Sequence, residues 1–533
     1  MSLINQFLGQ IRQHVRGQRG DLLRSWLQVE PGSAKQYFDL KAELQSKLRD
    51  PAKLEKVVET GLPQDDDVAD GEATSWPGLL SFIKDYFIFW RDVNFDDLLG
   101  AHQLLSGLVN SCATAFAHPT YGGMLLQTSM SLSETLARLT MTLSRRPDLT
   151  RRLNVGDEDN RKSVAESSAE IIQKIFTTCL TDRTSGRYSK PEGKKIGVYM
   201  FANLVLKLLF TCRRTNLAKM MFVNISTISP PLSLYPASQR VTFLYYLGRF
   251  NFANQHYLRA SLCLQEAYMQ TPTHLVSHRT KILTYLMPCN ILLGRFPSPQ
   301  LLQRPEARTL QPIFVPLCQA IRSGNFIQFQ AHLATHEQWL FDKGLLLALT
   351  HRLRPLLWRA LSRKTFLLTY IPPTDATSRK AATLDLADLY TVAVYLQRRL
   401  EGWLPGQGGS KARPPHVNAL FMKAVKNSAQ NPDATTLSPP PAGVKKLRPN
   451  EGMVWGNAEI TPDDVEMMVA TLIQQGLMHG FVAHGQSRFA IIGAKAKGSP
   501  LLAGWPNVWQ TILDRRYEEE FDPQEVPGWV KDA

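Results

Sequence analysis

Between Val241 and Pro272 the chain reads VTFLYYLGRFNFANQHYLRASLCLQEAYMQTP, and no other stretch limits the possible folds as much. Leu247 and Gly248, then Tyr257, Ala260, Leu264, Ala267 and Pro272, fall at the paired Leu-Gly, aromatic, small, large, small and stop positions of a helical hairpin repeat of the tetratricopeptide kind. Small residues recur there because a side chain larger than alanine would hold the two helices apart. Such hairpins bury their apolar faces only against neighbours, so the pattern predicts a solenoid of several helix pairs. A weaker echo follows at 317–340, where Ile321, Gly324, Asn325 and Phe326 turn into a helix containing Ala331, Leu333 and Ala334.

Helical periodicity also marks the N-terminus, with Ile4, Phe7, Leu8 and Ile11 followed by Leu22, Leu23, Trp26 and Leu27. Gln64–Glu72 predicts a linker and the charged segment 145–162 a loop, which gives an N-terminal helical region over 1–143 and a helical-repeat part over 165–344. The character changes after Gly344. Leu345–Tyr370 and Leu384–Leu400 read as helices, and Thr461, Pro462 and Asp464 start a third whose apolar face carries Val465, Met468, Val469, Leu472 and Ile473. Phe481–Ala483 and Phe489–Ile492 then form a hairpin, and no strand is expected before residue 480. Helix, helix, helix, hairpin is the order of a winged helix, placed at 345–497. The expected fold is therefore an all-α solenoid with a small C-terminal β-hairpin. Residues 401–456 hold eight prolines and seven glycines and predict a mobile insertion, while 498–533 predict an acidic tail.

Catalytic chemistry finds little support in the sequence. The six cysteines stand singly, without the Cys-x-x-Cys spacing of a zinc or redox site. His332 and His336, like His274 and His278, are four apart, but neither pair has a convincing third ligand. Gly406, Gly408, Gly409, Ser410 and Lys411 resemble a fragment of a phosphate loop, yet no strand precedes them and the spacing fails. With no nucleophile elbow and no metalloprotease motif, the expectation is a non-enzyme without metal or cofactor. The most apolar run, Met200–Phe210, contains Lys207 and falls short of the ~18–20 residues of a membrane helix. The N-terminus has no continuous apolar core of a secretory signal, so an intracellular chain is expected.

Charge is more informative. The net charge is +15, and residues 343–497 carry 20 Lys plus Arg against 10 Asp plus Glu. A polyanion is expected there, held by Lys411, Arg413, Lys445, Lys446, Arg448, Arg488, Lys495 and Lys497. The third helix of the winged helix begins with Asp463, Asp464 and Glu466 and has no Lys or Arg, which disfavours reading of bases in a major groove and favours backbone tracking of RNA or single strands. Arg240, Arg249, Arg259, Arg279 and Lys281 place further positive charge on repeat helices, and an acidic peptide is expected to bind across them.

Arg240–Ala267, Arg279–Gly294 (RTKILTYLMPCNILLG), Ile321–Phe326 and Gly476–Ile492 (GLMHGFVAHGQSRFAII) together resemble the PCI-domain subunit of the nuclear-pore-associated transcription-and-export complex. They resemble equally its close relative, a signalosome-associated PCI subunit linked to splicing. The resemblance spans about 165–495 and implies a scaffold subunit of a nuclear, pore-associated assembly that carries mRNA. It implies a larger PCI-domain partner, a small acidic disordered protein and RNA as binding partners, with no membrane. It also sets the two winged helices side by side, with Phe481 and Ile491 at their junction.

Overall fold

The computed structural model describes residues 3–62, 76–150, 162–186, 188–372, 381–405, 437–441, 443–515 and 522–531. The contacts divide the chain into two units, Met1–Phe250 with Asp522–Ala533, and Asn251–Phe521. The predicted linker at 64–72 and most of the predicted loop at 145–162 lie outside the described residues.

The first unit contains α1 (Leu3–Arg16), α2 (Gly20–Trp26), α3 (Lys35–Lys47), α4 (Pro51–Gly61), α5 (Pro77–Asp92), α6 (Leu98–Phe116), α7 (Leu126–Ser144), α8 (Pro147–Thr150), α9 (Val164–Thr181), α10 (Val198–Thr211), α11 (Thr215–Ile228) and most of α12 (Ala237–Ala253). Local chemistry sets several helix starts. Asp50, Asp97 and Ser163 accept hydrogen bonds from the first free N–H groups of α4, α6 and α9. The aromatic core begins at Phe7, whose ring stacks on Trp26 at 5.2 Å and Tyr86 at 5.8 Å. The expected break between 143 and 165 falls inside this unit. There α6, α7 and α9 share a buried polar cluster, with His102 Nε2 3.1 Å from Thr140 Oγ1 and 2.9 Å from Ser168 Oγ. Burial pushes the His102 pKa down to about 4.

The second unit begins in the last turn of α12 and continues through α13 (Tyr257–Gln270), α14 (Val276–Leu292), α15 (Pro299–Leu302), α16 (Gln311–Ser323), α17 (Phe326–Thr335), α18 (Glu337–Asp342), α19 (Leu346–Arg352) and α20 (Arg354–Thr369). The small and large positions of the repeat, Ala260, Leu264 and Ala267, are fully buried on α13. In the echo, Gly324 ends α16 at φ +63°, and Asn325 caps α17 by accepting from the Gln328 N–H. A side chain at 324 would strike the Leu361 backbone, so only glycine fits. The long helix expected over 345–370 is broken at Leu353, because Pro355, in the first turn of α20, has no N–H to bond the His351 carbonyl and continue the ladder.

Beyond α20 come β1 (Thr383–Asp385), α21 (Leu386–Leu400), β2 (Leu404–Pro405), β3 (Leu437–Ser438), α22 (Pro462–Gln474), β4 (Gly480–Ala483), β5 (Arg488–Ile491), α23 (Pro500–Gly504) and α24 (Val508–Asp514). Strands β1, β5 and β4 form an antiparallel sheet in that order, with Leu384 and Val482 flanking Phe489. The expectation of no strand before 480 is thus corrected, since a three-residue strand is too short to show alternation. Helix α20, β1, α21, α22, β4 and β5 follow the order of a winged helix. Thr461 and Asp464 cap α22 reciprocally, as the sequence predicts. The tail does not begin at 498: Trp505 is buried, its indole N–H donating to Ser362 at 3.1 Å. Segment 522–530 belongs to the first unit and ends in α25 (Gly528–Lys531).

Candidate partner and nucleic-acid interface

Helix α20 holds the winged helix together with two arginines that contribute to the positive charge counted over 343–497. Arg354, half-buried, shares the i, i+4, i+7 stripe of the helix with the buried Trp358 and Leu361. Arg354 donates to the carbonyls of Asn450 at 2.8 Å and Met453 at 2.7 Å, and to that of Gly452. Arg359 donates to the carbonyls of Leu477 and Trp505, each at 3.1 Å, and of Pro506 at 2.7 Å. Burial lowers both pKa values to about 10, so both guanidinium groups stay charged at neutral pH.

These contacts correct the reading of 401–456 as mobile throughout. The limb 443–456 is fixed between helices: Arg354 holds three of its carbonyls, Gln397 accepts from the Met453 N–H at 2.7 Å and donates to the Gly456 carbonyl at 2.9 Å, and Met453 is fully buried. Backbone groups of the limb are paired partly by side chains and partly by backbone bonds such as Lys445 N–H to the Glu401 carbonyl and Gly456 N–H to the Pro449 carbonyl, not by a ladder of secondary structure. Lys411 and Arg413 lie outside the described residues.

The remaining basic residues fall into two kinds. Lys445 and Lys446 on the limb, Arg488 on β5, and Lys495 and Lys497 after it are exposed. Arg448 is also exposed but already pairs with Glu337 at 2.7 Å and approaches Glu451 at 3.9 Å, so its charge is balanced. On α22, Asp464 is engaged in the cap, and Glu466 lies 2.8 Å from His484 Nδ1, which leaves Asp463 as the solvated acid of the first turn.

The residues expected to bind an acidic peptide are also separated. Arg279 is a correction: it is buried on α14, donating to Glu306 Oε1 and stacking on Tyr268, so it serves the core. Glu306 would be raised by burial alone, but hydrogen bonds from Tyr268 and Arg279 hold its pKa below the usual value. Arg240 donates to the carbonyls of Ser233 and Tyr235, and Arg249 lies over the Phe210 ring at 4.6 Å. Arg259 is half-buried, and Lys281 is exposed. Arg240 and Arg249 belong to the first unit, whereas Arg259, Arg279 and Lys281 belong to the second.

Of the two residues expected at a winged-helix junction, Phe481 is 53% exposed and Ile491 only 3%, so Ile491 is a core residue of the sheet. Exposed apolar residues here include Phe481, Met467 and Ile492 on the winged helix, Leu502 on α23, and also Leu367 and Trp455. His332 Nε2 is engaged with the Ile313 carbonyl at 2.6 Å, and among the described residues no group of three or more His, Cys, Asp or Glu is placed to hold a metal. Among them, too, no helix is long and apolar enough to cross a membrane.

No family model matches the chain. Comparison with known proteins finds a PCI domain-containing protein of Schizosaccharomyces pombe, 28% identical over 392 residues that cover 73% of each chain. A protein named CSN12 homolog of Neurospora crassa is 34% identical over 213 residues, 39% of this chain and 45% of that one. A PCI domain-containing protein 2 homolog of Drosophila melanogaster is 29% identical over 225 residues, 42% and 52% of the two chains. The matched part thus spans about half of the latter two relatives. Helical repeats followed by this winged helix give the chain the fold of a PCI domain, and its sequence is similar to the CSN12 and PCI domain-containing protein 2 homologues.

Proposed function

We propose that the chain is a non-catalytic scaffold subunit of a multi-subunit assembly built on PCI domains, of the signalosome- or splicing-linked kind. The observation that carries this reading is the exposure of Met467, Phe481 and Ile492 on a winged helix whose frame is held by Arg354 and Arg359, with Leu502 exposed on α23 after it. A rigid frame presenting exposed apolar anchors is what a protein interface requires. The proposed partner is a larger PCI-domain protein, and its winged helix covers these residues. The test is co-purification of the full chain with its large partner from cells. Phe481→Asp is expected to release the partner while leaving the melting temperature nearly unchanged, whereas Ile491→Asp, which places a charge inside the sheet, should unfold the second unit. Retention of the partner by the Phe481→Asp protein would refute this reading.

A second reading keeps the same scaffold but places it in the nucleus, in an mRNA export assembly at the pore, with RNA or single-stranded DNA and a small acidic protein as additional partners. The exposed cations Lys445, Lys446, Arg488, Lys495 and Lys497 favour it. Binding of single-stranded RNA by the purified complex at increasing salt separates the two. A salt-dependent affinity that weakens on charge reversal at Arg488, Lys495 and Lys497 supports RNA contact, and its absence leaves the purely structural subunit.

A further inference from the structure

From Gly193 to Phe250 the chain has eight Lys or Arg and no Asp or Glu, although its 46 acids, spread evenly over 533 residues, would place about five in that span. The stretch supplies α10, α11 and most of α12 of the first unit. Several of these cations serve the fold. Lys194 and Lys195 donate to the carbonyls of His118 and Ser185, and Arg240 and Arg249 are held by carbonyls and by the Phe210 ring. Arg213 and Arg214 stand exposed just before α11, with Arg214 3.6 Å from Glu166.

The form of α11 adds to this asymmetry. Asp50 and Asp97 cap α4 and α6, but no side chain caps α11 and its first turn has no acid, so the positive end of its dipole adds to the two arginines. Its outer face is apolar. Leu217, Met220 and Ile228 are 43%, 57% and 45% exposed, and with the half-buried Asn224 they fall at i, i+3, i+7 and i+11, one stripe down the length of the helix. Ala218, Met221, Phe222 and Ile225 are the buried residues of the same helix, so α11 is apolar both where it packs and along this outer stripe. A helix that faced only water on that side would carry polar groups there. The first unit already seats one acid-bearing segment of the chain itself: residues 522–530, with Asp522 and Glu525, pack on it through Val526, Val530 and the Trp529 ring, which stacks on Phe250 at 5.6 Å.

We propose that the outer face of α11 seats an acidic amphipathic helix of a partner protein, with the apolar stripe of that helix on Leu217, Met220 and Ile228 and its carboxylates toward Arg213 and Arg214. This is a second partner surface, on the first unit, and it goes beyond the function proposed above. Anchors at i, i+3 and i+7 are how one amphipathic helix engages another apolar surface. The opposite charges select the partner and speed its encounter.

The test uses the full chain and three labelled synthetic peptides. One is an acidic helix with Leu at i, i+3, i+7 and i+11 and Glu on its other faces, the second has the same composition with the leucines dispersed, and the third keeps the pattern with Lys in place of Glu. The patterned acidic peptide should bind more tightly than either of the others by about tenfold or more, and less tightly as salt rises. The neutral double variant Leu217→Gln, Met220→Gln should lower its affinity to that of the dispersed peptide. Arg213→Gln with Arg214→Gln should weaken binding and flatten its salt dependence. All four residues are exposed, so the melting temperature of each variant should stay unchanged. Equal binding of the patterned and dispersed peptides would mean attraction by net charge alone and overturns the proposal, as does an affinity indifferent to the changes at 217 and 220, or no binding. Hydrogen exchange on the unaltered chain gives a reading free of variants. The patterned peptide should slow exchange in α11, and protection confined to other helices overturns the proposal.

Discussion

The cluster around His102 and the one around Arg354 bury polar groups of opposite character. In α6, α7 and α9 an imidazole stays neutral among hydroxyls, its pKa pushed down by burial. In α20 two guanidinium groups stay charged among backbone carbonyls. The first arrangement joins three regular helices whose backbones are already paired. The second fixes irregular chain, the limb 443–456 and the turns at 477 and 505–506, which has no ladder of its own. A side chain with five donors suits that task, because one residue can serve three acceptors.

If the contrast is correct, Arg354→Ala should cost the most, since three carbonyls lose a charged donor in a buried site, an expected loss of about 4 kcal/mol in denaturant unfolding of the second unit. Hydrogen exchange should place the damage in 443–456. Arg354→Lys should recover little, because an ammonium cannot span the same fork.

The neutral cluster should reveal itself through pH. The folded pKa of His102, about 4, lies below its unfolded value of about 6.5, so the unfolded chain takes up the proton first as pH falls. Stability is then complete above about pH 6.5 and drops toward pH 4 by up to about 3 kcal/mol. The arginines do not titrate in this window, and Glu306, with its lowered pKa, loses its contribution only as pH falls below the usual carboxylate range. Acid should therefore open the first unit before the second. Following each unit by hydrogen exchange at stepped pH checks the order, and His102→Gln should flatten the slope.

Smaller effects sharpen the same contrast. Ser168→Ala removes one neutral hydrogen-bond partner of His102 and should cost about 1 kcal/mol in thermal or denaturant unfolding. Lys445→Gln with Lys446→Gln, on the solvated side of the anchored limb, should change stability by less than about 0.5 kcal/mol. A large loss there would mean that the surface lysines also hold structure.

Much of the architecture was legible in the sequence because it rests on local rules. The alanines and leucine of α13, the Gly324–Asn325 turn and the Thr461–Asp464 cap each follow from backbone geometry within a few residues. The candidate site was less so. Arg354, Arg359 and Arg279 added to a charge total exactly as Lys445 and Lys495 did, and only burial distinguished them. Heptad spacing with Trp358 and Leu361 was the available signal for Arg354, and none in the sequence marked Ile491 as core and Phe481 as surface.

The sequence by itself determined where several helices begin, such as α17 and α22, and that a winged helix lies in the second unit, since caps, turns and periodicity act over three to seven residues. The tertiary structure alone decided which charges are solvated, which limb of the insertion is anchored, and that residues 522–530 return to the first unit. Those outcomes depend on acceptors and apolar surfaces far along the chain, as Arg354 on the carbonyls of Asn450–Met453 and Trp529 on Phe250 show, and such distances leave no periodic trace in the chain.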